Sequence, residues 1–373
     1  MKSAASLKQR SELAPYLAAA GQRILDIQSD AGAIAWFEDG PWDSWNHTES
    51  AMALAVLDEK DAALKAYRFL QTTQLETGAW HSQYGNAIGV DETTYRMCRE
   101  PAPDFQDTNF TAYCAVGIWH AVMRWNEPQI ARDFWPMVSR AIEFVLSLQS
   151  EDGDITWSLE ALIDGETKND SVLAGNASIY KSLHCAILLG DLIGENVSHW
   201  RQARSRLGDA IKRKPDRFDR NGTDRSVFAM DWYYPVLAGT LRGDVARERL
   251  NMGWDTFVEP GLGCRCVSSE PWVTVAEASE LVMALVSVGE HKRAAQLLND
   301  QIEHTDEAGA AWMGWQFTEK VFWPAEQPSW TQGAFILAVD ALYDISPASR
   351  VLTHHEDQSF RSTLKLLQTS TSS

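Results

Sequence analysis

Residues 65–80 read KAYRFLQTTQLETGAW: a basic residue and an alanine, an aromatic–aliphatic pair, then Gln74, Gly78 and Trp80. The same order returns in 140–157, RAIEFVLSLQSEDGDITW, through Arg140, Ala141, Phe144, Val145, Gln149, Gly153 and Trp157. A third copy, RILDIQSDAGAIAW, carries Gln28, Gly32 and Trp36, and in all three the glutamine stands four positions before the glycine. DQIEHTDEAGAAW, ending at Trp312, is a worn fourth. The glycine suits the left-handed turn that stops a helix. The glutamine can bond backbone groups left unpaired at a helix end, and the tryptophan can fill a seam between neighbouring helices. The repeat is therefore read first as a structural staple at the end of an outer helix.

Away from these copies the apolar residues keep helical spacing nearly throughout, and few segments alternate with a period of two. Six segments open with polar or aromatic residues and run into small apolar ones; they start at Ser44, Asp107, Gly175, Ser226, Val273 and Pro328. Between them lie charged, amphipathic stretches at 6–28, 58–74, 128–149, 196–213, 243–252 and 290–303. The starts recur every 45 to 70 residues, roughly, a spacing typical of helical arrays. A helix that is apolar nearly all round is buried, and one with a charged stripe faces water. The alternation predicts an all-α fold, an (α/α)6 toroid of six helical hairpins with an inner and an outer ring. It is expected to span 1–345 as a single domain, followed by a polar C-terminal tail, 346–373, that frays. Pro235 is expected to kink or end the fourth inner helix early.

Composition narrows the partners. The chain has 373 residues, 45% apolar and 23% charged, an ordinary globular balance, with sixteen tryptophans, more than a core of this size needs. Some of these rings are expected to meet a ligand. A net charge of −18 excludes nucleic acid and anionic membrane as natural partners, since both require a basic footprint. Five cysteines, an odd count, fit reduced thiols and a cytoplasmic location. No apolar run resembles a signal peptide or reaches membrane length. The expected partner is a small molecule in a central cavity.

In a toroid the starts of the inner helices converge at one end, so the polar residues there gather around that cavity. Five carboxylates are candidate catalytic groups: Glu49, Asp107, Asp231, Glu277 and Glu326. Asp107, before Thr108 and Asn109, also makes a good N-cap. Glu49 and Glu277 lie in small apolar segments, where a carboxylate is costly unless paired or functional. Asp231 sits among aromatics that would raise its pKa and favour an acid role. Glu280 is read as facing solvent or bonding the preceding turn, and is left out. Candidate substrate-binding residues are Trp45, His47, Trp80, His81, Tyr84, Asn109, Tyr180, Trp232, Tyr233, Trp272 and Trp330; Trp36, Trp157 and Trp312 are assigned to seams. His184-Cys185 and Cys264-x-Cys266 lack the spacing of a structural zinc site, so no metal ligands and no cofactor are expected.

The glutamine–glycine–tryptophan copies resemble the QW repeat of the terpenoid cyclase and protein prenyltransferase-like toroids. The whole chain is similar to bacterial proteins labelled "prenyltransferase" through WNHTESAMAL, DTNFTAYCAVGIWH, MDWYYPVLAGTLRG and PWVTVAEASELVMAL. The resemblance implies an enzyme in which a cavity carboxylate protonates, cyclises or isomerises a small amphipathic substrate, isoprenoids among them. The chain departs from that family by lacking both Asp-x-Asp-Asp and Asp-Asp-x-x-Asp. Carbocation chemistry needs one protonated carboxyl and aromatic faces. A second expectation is glycoside hydrolysis or lysis on a six-hairpin scaffold, which needs an acid and a second carboxylate on opposite sides of a sugar. PAEQPSW, around Glu326, faintly resembles the base motif of glucoamylase-like enzymes. A third is a non-catalytic, ligand-binding toroid.

Overall fold

The computed structural model describes residues 4–90, 95–101, 105–160 and 170–355. Outer and inner helices alternate along the chain: α1 (Ala4–Ile27) outer, α2 (Ser44–Val56) inner, α3 (Lys60–Thr73) outer, then α4 (Thr108–Ala112) running into α5 (Cys114–Trp125) inner. They continue as α6 (Pro128–Ser147) outer, α7 (Leu173–Ile193) inner, α8 (Ser198–Arg213) outer and α9 (Ala229–Leu237) inner. The last four are α10 (Gly243–Phe257) outer, α11 (Val275–Ser287) inner, α12 (His291–Asp300) outer and α13 (Ser329–Tyr343) inner. Inner helices pack in the order α2, α5, α7, α9, α11, α13, and α13 packs back on α2, so the ring is closed. Each is backed by one outer helix, with α1 behind α13. This is the all-α toroid that the alternation predicted. Nearly every residue of α2 and α7 is buried, whereas α8 buries only Trp200, Ala203, Leu207, Gly208 and Ala210. Helix α9 ends two residues past Pro235.

The staples hold the outer ring together. Gln28 Nε2 donates to the carbonyl of Ala62 on α3 (3.0 Å), Gln74 to Met137 on α6 (2.9 Å), and Gln149 to Ala203 on α8 (2.9 Å). Each therefore reaches from the end of one outer helix to the next. Gly153 adopts φ +100°, and a Cβ there would stand 2.5 Å from the Arg206 carbonyl oxygen. Only glycine allows both that turn and that approach. In the worn copy Thr305 occupies the glutamine's place: it bridges Ala311 as Gln28 bridges Ile34 and Gln149 bridges Ile155. Gly309 then packs on Tyr16 and Ala19 of α1, closing the outer ring.

Short strands went unanticipated. A hairpin pairs β1 (Asn86–Val90) with β2 (Tyr95–Pro101), and β3 (Phe105–Asp107) pairs with β4 (Ser158–Glu160). An antiparallel five-stranded sheet runs β5 (Val258–Glu259), β6 (Gly263–Arg265), β7 (Trp272–Thr274), β8 (Gly314–Gln316) and β9 (Val321–Phe322) in that order. Strands of two or three residues cannot display an alternating pattern. Strand β7 leads straight into α11 and so fixes the approach to that helix. Beyond α13, residues 346–355 fold back on the ring: Ser346, Ser349, Val351, Leu352, Thr353 and His355 are buried, and Ser346 bonds Asp340 through its amide (2.6 Å) and hydroxyl (2.7 Å). The rest of the expected tail, 356–373, lies outside the described residues. Among the described residues no helix is long and apolar enough to cross a membrane.

Candidate active site

Two aspartates set the starts of inner helices. Asp43 caps α2, its Oδ1 accepting from the amides of Trp45 (2.8 Å) and Asn46 (2.9 Å) and its Oδ2 from the Trp36 indole (2.6 Å) and the Asn46 side chain (2.7 Å). Burial pushes its pKa up to about 6 against the pull of those bonds. Asp107 repeats the device on α4, accepting from the Phe110 amide (2.8 Å) and the Trp157 indole (2.7 Å). Two of the staple tryptophans, Trp36 and Trp157, thus reach past the seam to hold inner-helix caps. With both oxygens engaged, Asp107 serves the fold and does not line the cavity.

That cavity, about 270 Å³, lies at the N-terminal end of the inner ring. Helix α2 supplies Trp45, Asn46 and Glu49; α4 supplies Asn109 and Phe110; α9 supplies Met230. Helix α11 supplies Ala276, Glu277 and Glu280, α13 supplies Trp330, and the flanking loops and strands add Cys266, Trp272, Thr274 and Met313. Glu49 is 4% exposed and accepts a hydrogen bond from the Tyr113 phenol (3.0 Å), whose ring stacks on Trp45 at 4.5 Å. Burial pushes its pKa up to about 7, opposed by the bonds from Tyr113 and Trp45. Glu277, half-buried, accepts from the Thr274 hydroxyl and the Cys266 thiol. Glu280 is buried, with one oxygen bonded by Tyr233 and the other by Tyr234 (2.7 Å). Burial and then the neighbouring Glu49 drive its pKa well above the usual carboxylate range. Among the described residues these three acids are held by phenols, a hydroxyl, a thiol and an indole, not by cations. The amide oxygen of Asn109 is buried with no partner among the described residues.

Of the sequence candidates, the fold brings together Glu49, Glu277, Trp45, Asn109, Trp272 and Trp330. The others sit elsewhere. His47 accepts from the Ile34 amide at Nδ1 (3.0 Å) and donates from Nε2 to the Ala66 carbonyl (2.9 Å); burial lowers its pKa to about 4, leaving the ring neutral. Asn176 on α7 and Gln332 on α13 pin Ile155 and Ala311 in the same way. The Trp80 indole donates to the Leu70 carbonyl (3.2 Å), that of Trp232 to Arg249 (2.7 Å), and Tyr180 lies under the Arg204 guanidinium at 4.1 Å. Tyr233 stands behind Glu280. Tyr84 stacks on Trp42 at 4.0 Å, with His81 at 5.3 Å from it. Asp231 opens on a separate groove beside Trp232, Arg249 and Met252, and burial pushes its pKa up to about 6. Glu326 lies in the loop before α13; burial raises its pKa and nearby Arg23 lowers it. None of these lines the cavity.

Sequence reasoning missed Asn46, Phe110, Met230, Cys266, Thr274, Ala276 and Met313, and misplaced Glu280. Helical spacing held the signal for Glu280, which stands one turn from Glu277 on the same face of α11. Cys266 and Met313 come from irregular segments that carry no such signal.

No protein-family profile matches the chain. A curated relative does: the MMP endo-(1,4)-3-O-methyl-alpha-D-mannosidase of Mycolicibacterium hassiacum is 39% identical over 330 residues, 88% of this chain and 87% of that protein. The chain belongs to the family of that mannosidase. Among solved structures it is similar to a wild-type glycosidase, with TM-score 0.67, 12% identity, and coverage of 90% of this chain and 99% of the other. It is also similar to a GH63 mannosylglycerate hydrolase from Thermus thermophilus bound to Tris and D-glycerate, with TM-score 0.63, 12% identity, and coverage of 87% and 99%. Identities this low speak to the toroid alone. The relationship to a mannosidase overturns the expected terpenoid-cyclase or prenyltransferase-like isomerase. The repeat that led there is scaffold, its glutamines and glycines all engaged by backbone. The glycosidase alternative agrees with these relatives.

Proposed function

We propose that this protein is a glycoside hydrolase that cuts α-(1→4) linkages within chains of 3-O-methylmannose, with Glu49 as general acid and Glu277 as the second carboxylate. The observation that carries the reading is the pairing of these carboxyls, from α2 and α11, on one tryptophan-walled cavity in a chain 39% identical to a mannosidase over 330 residues. Glycoside hydrolysis needs a proton for the leaving oxygen and a carboxylate near the anomeric carbon, through an oxocarbenium-like transition state. Glu49, raised to about 7, keeps its proton near neutral pH, as a general acid must. Glu277, held by the Thr274 hydroxyl and the Cys266 thiol on the same cavity, takes the role of base or nucleophile. Glu280, gripped by two phenols beside Glu49, is a positioning residue: burial and the neighbouring Glu49 raise its pKa well above the usual carboxylate range, so it holds its own proton and stays neutral beside the acid.

The walls fit the substrate class. Trp45, Trp272 and Trp330 offer faces on which a pyranose can stack and against which positive charge can develop. Phe110, Met230 and Met313 suit a methyl ether, where a bare hydroxyl would be buried without a partner. The free oxygen of Asn109 can accept from a remaining hydroxyl. The test is incubation with an α-(1→4)-linked 3-O-methylmannose oligosaccharide, read by mass spectrometry. Shorter oligosaccharides are expected from the wild type, and a rate lower by at least about 100-fold from Glu49→Gln. An uncut oligosaccharide would refute the substrate class; wild-type rates from Glu49→Gln would refute the acid.

A further inference from the structure

At the end of the ring opposite the active-site cavity, positive charge gathers without a matching carboxylate among the described residues. Lys181 on α7 is 3% exposed, and its ammonium donates to the His354 carbonyl (3.1 Å) and to His355 Nδ1 (3.4 Å). Its charged neighbours are Arg204 and Arg242, which add to burial in lowering its pKa to about 8, with Cys185 opposing them. A buried ammonium with no anion beside it is costly. His355 is buried with its ring over Gly239, where even a Cβ would not fit. Because Nδ1 accepts from the ammonium, the ring proton lies on Nε2, and that N–H has no partner among the described residues. Burial, then Lys181, Arg242, His184 and His354, push the imidazole well below its usual pKa, so the surrounding field is positive. In a chain of net charge −18 this local excess runs against the average.

Beside these residues lies a cavity of about 660 Å³, walled by the turn between α9 and α10 at 241–243, by the C-terminal ends of α11 and α13, and by Ser349, Arg350 and 353–355. Arg242, His291, Arg350 and His354 line it from exposed positions, and His355 forms part of its floor. Asp344, the one carboxylate among the described residues of that lining, already accepts from the Ser349 hydroxyl (2.7 Å). The volume is that of a small-molecule pocket, larger than a bare ion needs.

We propose that this cavity is a second binding site, for a small organic anion whose phosphate or carboxylate group lies against Arg242 and Arg350, beside the buried imidazole of His355. Such a ligand supplies the counter-charge that the Lys181–His355 cluster lacks, through charge-assisted hydrogen bonds to guanidinium groups. Nothing in this depends on the sugar chemistry at the other end.

The test is calorimetric titration of the full chain with inorganic phosphate and, separately, with citrate, at constant ionic strength set by sodium chloride. Saturable binding at one site is expected in at least one arm, and which arm responds distinguishes a phosphate from a carboxylate ligand. Arg350→Gln and Arg242→Gln should each weaken it about tenfold, the loss of one charge-assisted bond, while Glu277→Gln leaves it unchanged. Both arginines are exposed, so these variants are expected to fold. No saturable binding in either arm, or binding indifferent to both arginine variants, overturns the proposal. So does binding that appears only in Glu356→Gln/Asp357→Asn, because the chain's own carboxylates would then fill the site.

Discussion

Removing the phenol of Tyr113 should move the activity of this protein toward alkaline pH. That hydroxyl donates to Glu49 at 3.0 Å, and a donor to a carboxylate favours its charged form. With the bond in place Glu49 sits at about 7. About half of it is then protonated at pH 7 and about a tenth at pH 8, where an ordinary glutamate would be almost wholly ionised. Loss of one such bond inside a buried site is taken as about 1.4 kcal/mol between the two protonation states, about one pH unit. Because the acid works in its protonated form, activity falls as pH rises through this pKa. In Tyr113→Phe that fall should therefore begin about one unit higher, leaving about half the acid active at pH 8. The ring itself stays, stacked on Trp45 at 4.5 Å, so the wall of the cavity is preserved. The assay is kcat/KM for the methylated mannose oligosaccharide from pH 5 to 9, which reports the free enzyme. A descending limb that stays put, or moves to lower pH, would refute the reasoning.

The other predictions concern stability and the scaffold. Glu49 has a folded pKa raised above its unfolded value, so the stability it contributes is fully present below about pH 4.3 and is lost as pH rises toward 7. Glu49→Gln should gain up to about 3 kcal/mol in urea unfolding at pH 8 and almost none at pH 4, while turnover disappears; an equal gain at both would break the link to ionisation. His47→Gln should keep both fold and KM, because Gln332 does the same pinning on α13, whereas His47→Ala leaves the Ile34 amide unpaired at a cost of about 1–3 kcal/mol. A raised KM in His47→Gln would return that residue to the substrate site. Gly153→Ala, with its Cβ 2.5 Å from the Arg206 carbonyl oxygen, should lower the melting temperature and leave kcat/KM at 25 °C unchanged; an unchanged melting temperature would mean the outer-ring staple is dispensable.

The ring was legible in the sequence because burial on all faces and burial on one face leave different apolar patterns, and the two alternate from α1 to α13. The staples were legible because a left-handed turn pressed against a neighbouring carbonyl admits only glycine, as at Gly153. Glu49 and Glu277 stood out as charges in small apolar segments. His47 and Asp107 looked like cavity residues for the same reason, their polarity at an inner-helix start, yet their partners Ile34, Ala66 and Trp157 come from elsewhere in the chain. The spacing from Glu277 put Glu280 on the cavity face of α11, but its partners Tyr233 and Tyr234, which face it from α9, came only with the fold. The chemistry itself was misread because the staple repeat marks a scaffold, and toroids of one architecture carry different reactions.

The most direct measurement compares kcat/KM of Glu277→Gln and Asp231→Asn on the methylated mannose oligosaccharide, with both variants checked for folding. Glu277 lines the cavity beside Glu49, while Asp231 opens on a separate groove. A loss of at least about 1000-fold in Glu277→Gln, with Asp231→Asn within about threefold of wild type, is the predicted result. The reverse pattern, or full activity in Glu277→Gln, would contradict the assignment of catalysis to this cavity.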